Sequence, residues 1–176
     1  MAAGGGWIDG RFDFMTHEEL LVANALAFWN LAIARVDKLF LNLTEKELDH
    51  AVAPGKNRLI YIWGHLAAVN DSLLSLMGLG QRLHPELDEV FITAPDRTAV
   101  KEISAADVKK AWTEINAKLS AEFAKMTPAD WLHKHTAVSD ADFVKEPLRN
   151  RMAILLTRTA HMAYHMGQAA LIEKQS

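Results

Sequence analysis

The sequence contains no cysteine. This absence excludes disulfide bonds, thiolate metal sites and cysteine nucleophiles. Any metal site in this chain must therefore draw its ligands from histidine, aspartate, glutamate or the backbone.

Concentrated positive charge and long hydrophobic runs are also lacking. Lysine and arginine are scattered along the chain, and the net charge is −3. Because nucleic-acid-binding surfaces usually carry a basic patch, we expect no nucleic-acid partner. Polar residues interrupt the apolar stretches before the ~20 residues that a membrane-spanning helix needs, so we expect no membrane segment. The sequence also has no glycine-rich phosphate loop, no nucleophile elbow and no pair of carboxylates at catalytic spacing.

The first fifteen residues differ in composition from the rest of the chain. They contain three consecutive glycines followed by several aromatic residues. They lack the basic start and the apolar run of about 7–15 residues that define a secretory signal. We therefore predict a flexible leader at 1–15, a single domain at 16–176 and a cytoplasmic location.

Helix signals dominate that domain, and no segment alternates in the manner of a strand. Capping boxes are predicted at Thr16–Glu19 and Thr44–Glu47. Amphipathic periodicity predicts four long helices, at about 16–41, 57–77, 104–126 and 147–174. We therefore predict an all-α fold, a four-helix bundle. The irregular linker at 78–103 is long enough for a crossover connection between helices two and three, while an up-down-up-down topology stays open.

Two histidines, His161 and His165, lie four residues apart in the last predicted helix. This spacing places both rings on one face, where they can chelate one metal ion. The spacing alone is weak evidence in a chain with eight histidines, and an exposed polar stripe is the alternative. The rest of this helix is so apolar that we expect it to be central. The stripe of Arg158, His161, His165 and Gln168 is then either its one wet face or an internal site.

His65 is an independent candidate on the second long helix. It shares a stripe with Ile62, Val69 and Leu76, whereas Asn70 and Asp71 point elsewhere. An unpaired imidazole facing the core is unfavourable, so His65 needs a partner. A hydrogen bond would serve, but its position opposite a chelating pair favours a metal ligand. The remaining histidines carry less weight; they are His17, His50, His84, His133 and His135.

Two motifs carry a family resemblance, WGHLA at 63–67 and HMAYHMGQ at 161–168. With the helix order, they make residues 16–173 resemble the DinB-like metal-binding four-helix bundles. The resemblance implies a bundle with a crossover connection, often a homodimer. It also implies one divalent ion, commonly nickel or zinc, held by His65, His161 and His165.

A few members of the family that the chain resembles are thiol-dependent transferases or isomerases that act on small electrophiles with low-molecular-weight thiols. Three neutral ligands leave an ion with an open position, the pattern of catalytic sites. We therefore predict a metal-dependent enzyme acting on a small molecule, either a thiol-dependent transferase or a hydrolase. The alternative is a non-catalytic bundle that binds metal or another ligand, including a dimeric stress-response module. Tyr61, Tyr164 and Gln168 lie near the histidine stripes, and no carboxylate is an evident general base.

Overall fold

The computed structural model describes residues 15–172, so all of the predicted leader except Met15 lies outside the described part. The described elements are α1 (His17–Phe40), α2 (Glu45–Leu48), α3 (Leu59–Leu76), a π-helical turn (Glu89–Thr93), α4 (Ala105–Phe123), α5 (Pro128–Leu132), α6 (Asp140–Lys145) and α7 (Arg151–Ala170). Extended pairing within residues 15–172 is limited to two isolated bridges. The predicted all-α class is confirmed, and the four long helices are α1, α3, α4 and α7.

Side-chain caps begin most of these helices. At α1, the Thr16 hydroxyl accepts the Glu19 amide, and the Glu19 carboxylate accepts the Thr16 amide at 2.7 Å. The same reciprocal bonds open α2 and α5. Each box satisfies amides that the first turn of a helix would otherwise leave unpaired. Both predicted capping boxes are therefore present.

The centre of the fold is α3. This helix packs mainly on α4, and also on the π-helical turn and α7, while α1 packs mainly on α7. Most residues of α3 are buried, among them Trp63 and Leu66, whereas α7 buries only Leu155, Met162 and Ala169. The expectation that the last helix is central was wrong. Many apolar residues lie on protein surfaces, so the apolar composition of α7 does not show how deeply the helix is buried.

A buried carboxylate fastens the long linker to α3. Asp71 is 0% exposed, and its oxygens accept hydrogen bonds from the Arg82 Nε atom and from the amides of Leu83 and His84. The charge is thus paired and hydrogen-bonded, as a buried carboxylate requires. This contact fixes the start of the connection that leads from α3 to α4. The predicted crossover of that connection stays a prediction.

Part of the predicted apolar face of α1 remains exposed. The helix buries Ala25, Trp29 and Val36, whereas Leu21 and Phe28 are 69% and 64% exposed. Among the described helices, α1 alone has the length and composition of a membrane-spanning segment. That is weak evidence for a membrane, because a core helix of a soluble protein and a signal sequence have the same composition.

One helix boundary and two additional elements differ from the sequence prediction. The last helix begins at Arg151 rather than at Pro147, because the Asn150 side chain accepts the Ala153 amide and caps it there. The 78–103 linker, predicted as irregular, contains the π-helical turn. The polar stretch before α7 contains α6, whose first turn is capped by Ser139. Ser139 and Asp142 already had the spacing of a helix start in the sequence.

Candidate metal centre

Two long helices bring the three predicted histidines together. His65 lies in the middle of α3, and His161 and His165 lie one turn apart on α7. All three are partly buried. Their ligand nitrogens lie within 4.8 Å of one another, and no carboxylate of the described residues joins the group. The structure therefore assembles the set that the sequence predicted.

Each of the three rings approaches the others with its Nε2 atom. The Nε2 atom of His161 is 3.3 Å from that of His65 and 3.1 Å from that of His165. Two nitrogens bound at about 2.0–2.1 Å to one tetrahedral ion are themselves about 3.3–3.4 Å apart. The spacing therefore suits one divalent ion.

Hydrogen bonds on the far side of two rings fix their tautomers. The His65 Nδ1 atom is 2.9 Å from the Phe91 carbonyl oxygen, and the His165 Nδ1 atom is 2.8 Å from the Gln168 Oε1 atom. Both oxygens only accept, so both Nδ1 atoms are the donors. The Nε2 atoms of His65 and His165 therefore carry lone pairs directed at the common centre. In its neutral form His161 has one ring proton, so it can donate to only one of these two lone pairs. A cation can bind the lone pairs of all three Nε2 atoms.

The electrostatic environment keeps His161 and His165 in the neutral form that can bind a cation. Burial lowers the pKa of His161 to about 4, with further lowering by His165, His65 and Arg158. Burial also lowers the pKa of His165, and the hydrogen bond to Gln168 opposes that effect only in part. Both imidazoles are thus neutral at pH 7, the state that binds metal ions. The donor set, its spacing and its protonation all fit the divalent ion expected from the sequence.

The residue that orients His65 was missed by the sequence analysis. The Phe91 carbonyl belongs to the π-helical turn, which packs on α3 beside Gly64. The Tyr61 hydroxyl donates to the Ala94 carbonyl at 2.8 Å and holds the end of the same turn. A backbone carbonyl has no residue-type signal, so no motif could have indicated it. Support of this kind fixes the orientation of a ligand ring.

The predicted neighbours on α7 also contribute. Gln168 accepts from His165, and its Nε2 atom donates to the Tyr164 hydroxyl at 3.1 Å. Tyr164 itself is largely exposed. The prediction that Gln168 lies within reach of the histidines is therefore confirmed by its contact with His165.

The other described histidines do not join the group. His84 instead lies between Glu86 and Glu114, at 3.0 and 2.9 Å. His133 has an exposed side chain 3.8 Å from the Asp130 carboxylate. The lower weight given to these histidines agrees with their positions.

Comparison with known proteins agrees with the fold. A crystal structure of a conserved protein from Enterococcus faecalis superposes with a TM-score of 0.59 at 15% identity, over 85% of this chain and 93% of that one. At this identity the similarity concerns the fold alone. No curated protein matches the sequence. The model of the DinB superfamily matches residues 29–169, a range that includes all three histidines and most of the chain. The chain belongs to the DinB superfamily.

Proposed function

We propose that this protein is a metal-dependent enzyme that acts on a small molecule, with one divalent ion held by His65, His161 and His165. The observation that carries the proposal is the convergence of three Nε2 atoms with no carboxylate in the set. Structural zinc sites are usually closed by four protein ligands, whereas three leave a position for a substrate. Nickel and zinc are the ions that the family resemblance favours.

Within the two predicted reactions, transfer of a thiol to a small electrophile fits the site better than hydrolysis. A bound divalent ion supplies Lewis-acid chemistry that lowers the pKa of a thiol or of water. A thiol then needs little help from a protein base, whereas hydrolysis usually relies on one. No carboxylate of the described residues stands with the three histidines. The chain's own contribution is to orient the rings of His65 and His165 and to keep His161 and His165 neutral.

The first experiment is metal analysis of purified, untagged protein by mass spectrometry, beside the His161→Ala variant. We expect close to one nickel, zinc or similar ion per chain in the wild type and a loss of most of it in the variant. Removal of one of three ligands leaves the ion with too few donors. His133→Ala is the matched control, because this exposed histidine lies outside the group and should leave metal content unchanged.

Activity is then measured on the loaded protein with pairs of a low-molecular-weight thiol and a small electrophile. Turnover that disappears in His161→Ala supports the enzyme. A wild type that holds no ion and cannot be reloaded contradicts the metal centre altogether. A metal-loaded protein that returns every ligand unchanged favours the alternative, a bundle that binds metal or ligand without catalysis.

A further inference from the structure

Arg158 is a partly buried cation without a counter-charge. It lies on α7 three residues before His161. Its Nε atom is buried and has no hydrogen-bond partner, and no carboxylate of the described residues pairs with it. Two other partly buried arginines, Arg58 and Arg82, each pair with two carboxylates. Arg158 therefore differs from the arginines that stabilise the fold.

A guanidinium whose Nε atom has lost water without gaining a partner, and whose charge has no paired carboxylate, is in an unfavourable position. The burial lowers the pKa of Arg158. A group of this kind beside a site is a candidate for ligand binding. Arg151, one heptad earlier on α7, also has a buried Nε atom without a partner, but its Nη1 atom donates to the Asp130 carbonyl.

Arg158 lies about one helical turn before His161 on α7. Three helical residues correspond to a rise of about 4.5 Å, and positions i and i+3 share one face. The same face of α7 thus presents a fixed positive charge beside His161 and His165, and no carboxylate of the described residues joins that group. In a chain with net charge −3, this is a local site for an anion.

We propose that Arg158 binds a carboxylate of the small-molecule ligand while another donor atom of the same ligand faces His65, His161 and His165. The inference rests on the proposed function, since it needs the metal centre for the second donor. The planar fork of a guanidinium matches a carboxylate with two parallel hydrogen bonds. The ligand class is therefore a small carboxylate anion with a separate metal-binding group, such as a thiol.

Two probes that differ only at the carboxylate test this assignment. Mercaptoacetate carries a thiol and a carboxylate, whereas mercaptoacetamide carries the thiol and a neutral amide. Calorimetric titration of zinc-loaded protein should give about 10- to 100-fold tighter binding of mercaptoacetate. In Arg158→Met, which keeps the apolar stem, that preference should disappear while the zinc content stays the same. Arg158→Lys should keep part of the preference for mercaptoacetate, because the positive charge remains but the planar guanidinium is lost.

The outcomes separate the two proposals. Zinc-loaded wild type that binds both probes equally, or Arg158→Met that keeps the preference, overturns the role of Arg158 and leaves the metal centre intact. A wild type that holds no zinc overturns the proposed function, and this inference with it. Circular dichroism confirms folding, and Arg158→Gln replaces Arg158→Met if the latter is unfolded. Arg149→Met is the control, because Arg149 lies before α7 near Glu146 and should not change the preference.

Discussion

At the scale of single residues, Gly64 connects packing to the metal centre. A Cβ atom at this position would lie 2.5–2.6 Å from ring carbons of Phe91, well inside van der Waals contact. The Phe91 ring is itself buried and cannot move freely. Since the Phe91 carbonyl orients His65, a side chain at Gly64 would disturb both the core and a ligand.

We expect Gly64→Ala to lower the free energy of unfolding by about 1–3 kcal/mol, because it overpacks the contact between α3 and the π-helical turn. Metal affinity should fall about tenfold as the carbonyl shifts away from His65. Urea denaturation and a competitive metal titration measure the two effects.

Gly167→Ala is the matched control on α7. A Cβ atom there would meet nothing within 4 Å. Alanine is the better helix former, so this variant should gain about 0.5–1 kcal/mol of stability. A Gly64→Ala protein as stable as the wild type would show that the close contact with Phe91 does not exist in solution.

His161 and His165 were predictable because histidine spacing on a helix is visible in the sequence, and His65 was predictable because its stripe faces the core. The second motif contained His161, His165 and Gln168, and all three lie together in the structure. The partner of His65 was not predictable, since it is a backbone carbonyl whose position depends on how the linker packs on α3.

At the scale of secondary structure, His84 connects the 78–103 linker to α4 through a hydrogen bond to Glu114. Burial alone would lower the pKa of His84, but hydrogen bonds to Glu86 and Glu114 and their charges together raise it. A histidine whose pKa is higher in the folded chain than in the unfolded chain binds its proton more tightly when folded. Its contribution to stability is thus fully present below about pH 6.5, the ordinary histidine pKa, and is lost as pH rises through the raised value.

We therefore expect His84→Gln to lose about 0.5–1 kcal/mol of unfolding free energy at pH 5.5, a typical value for exposed ion pairs, and less at pH 9. Urea denaturation of wild type and variant at both pH values measures the difference. Glu114→Gln should lose a similar pH-dependent part, because it removes one of the two partners. A loss that is equal at both pH values would contradict the ionic origin of the contact.

Elements were predictable where a local signal defines them. Thr16 and Thr44 begin helices through caps that the sequence displays, and Thr127 does the same before Pro128. The π-helical turn has no such signal, because it depends on the fit of Phe91 against Gly64. The start of α7 was misplaced because proline suits the first turn of a helix and also an extended segment before one.

At the scale of the whole molecule, we propose that a second copy binds the exposed side of α1. The family resemblance predicts a homodimer, and Leu21 and Phe28 lie exposed around an apolar groove that α1 forms with α5 and α7. Leu132 and Leu156 line the same groove. Exposed apolar surface of this kind commonly marks an interface.

We expect light scattering to give the mass of a dimer for the wild type and of a monomer for the double variant Leu21→Glu, Phe28→Glu. Two charges would be buried without partners in the dimer, whereas the monomer leaves them in water. Leu148→Glu is the control, since Leu148 is also exposed, at 81%, but lies outside this groove. A wild type that stays monomeric at high concentration, or a double variant that stays dimeric, would contradict this interface.

The low burial of α7 has a consequence for how long the protein survives in a cell. Its histidines meet His65 on α3, which lies 96 residues before His161 in the chain, so a bound ion would cross-link distant segments. A ligand that binds only the folded state stabilises it in proportion to the logarithm of its free concentration. Since cellular proteases degrade chains that open, the abundance of this protein would follow the supply of its metal.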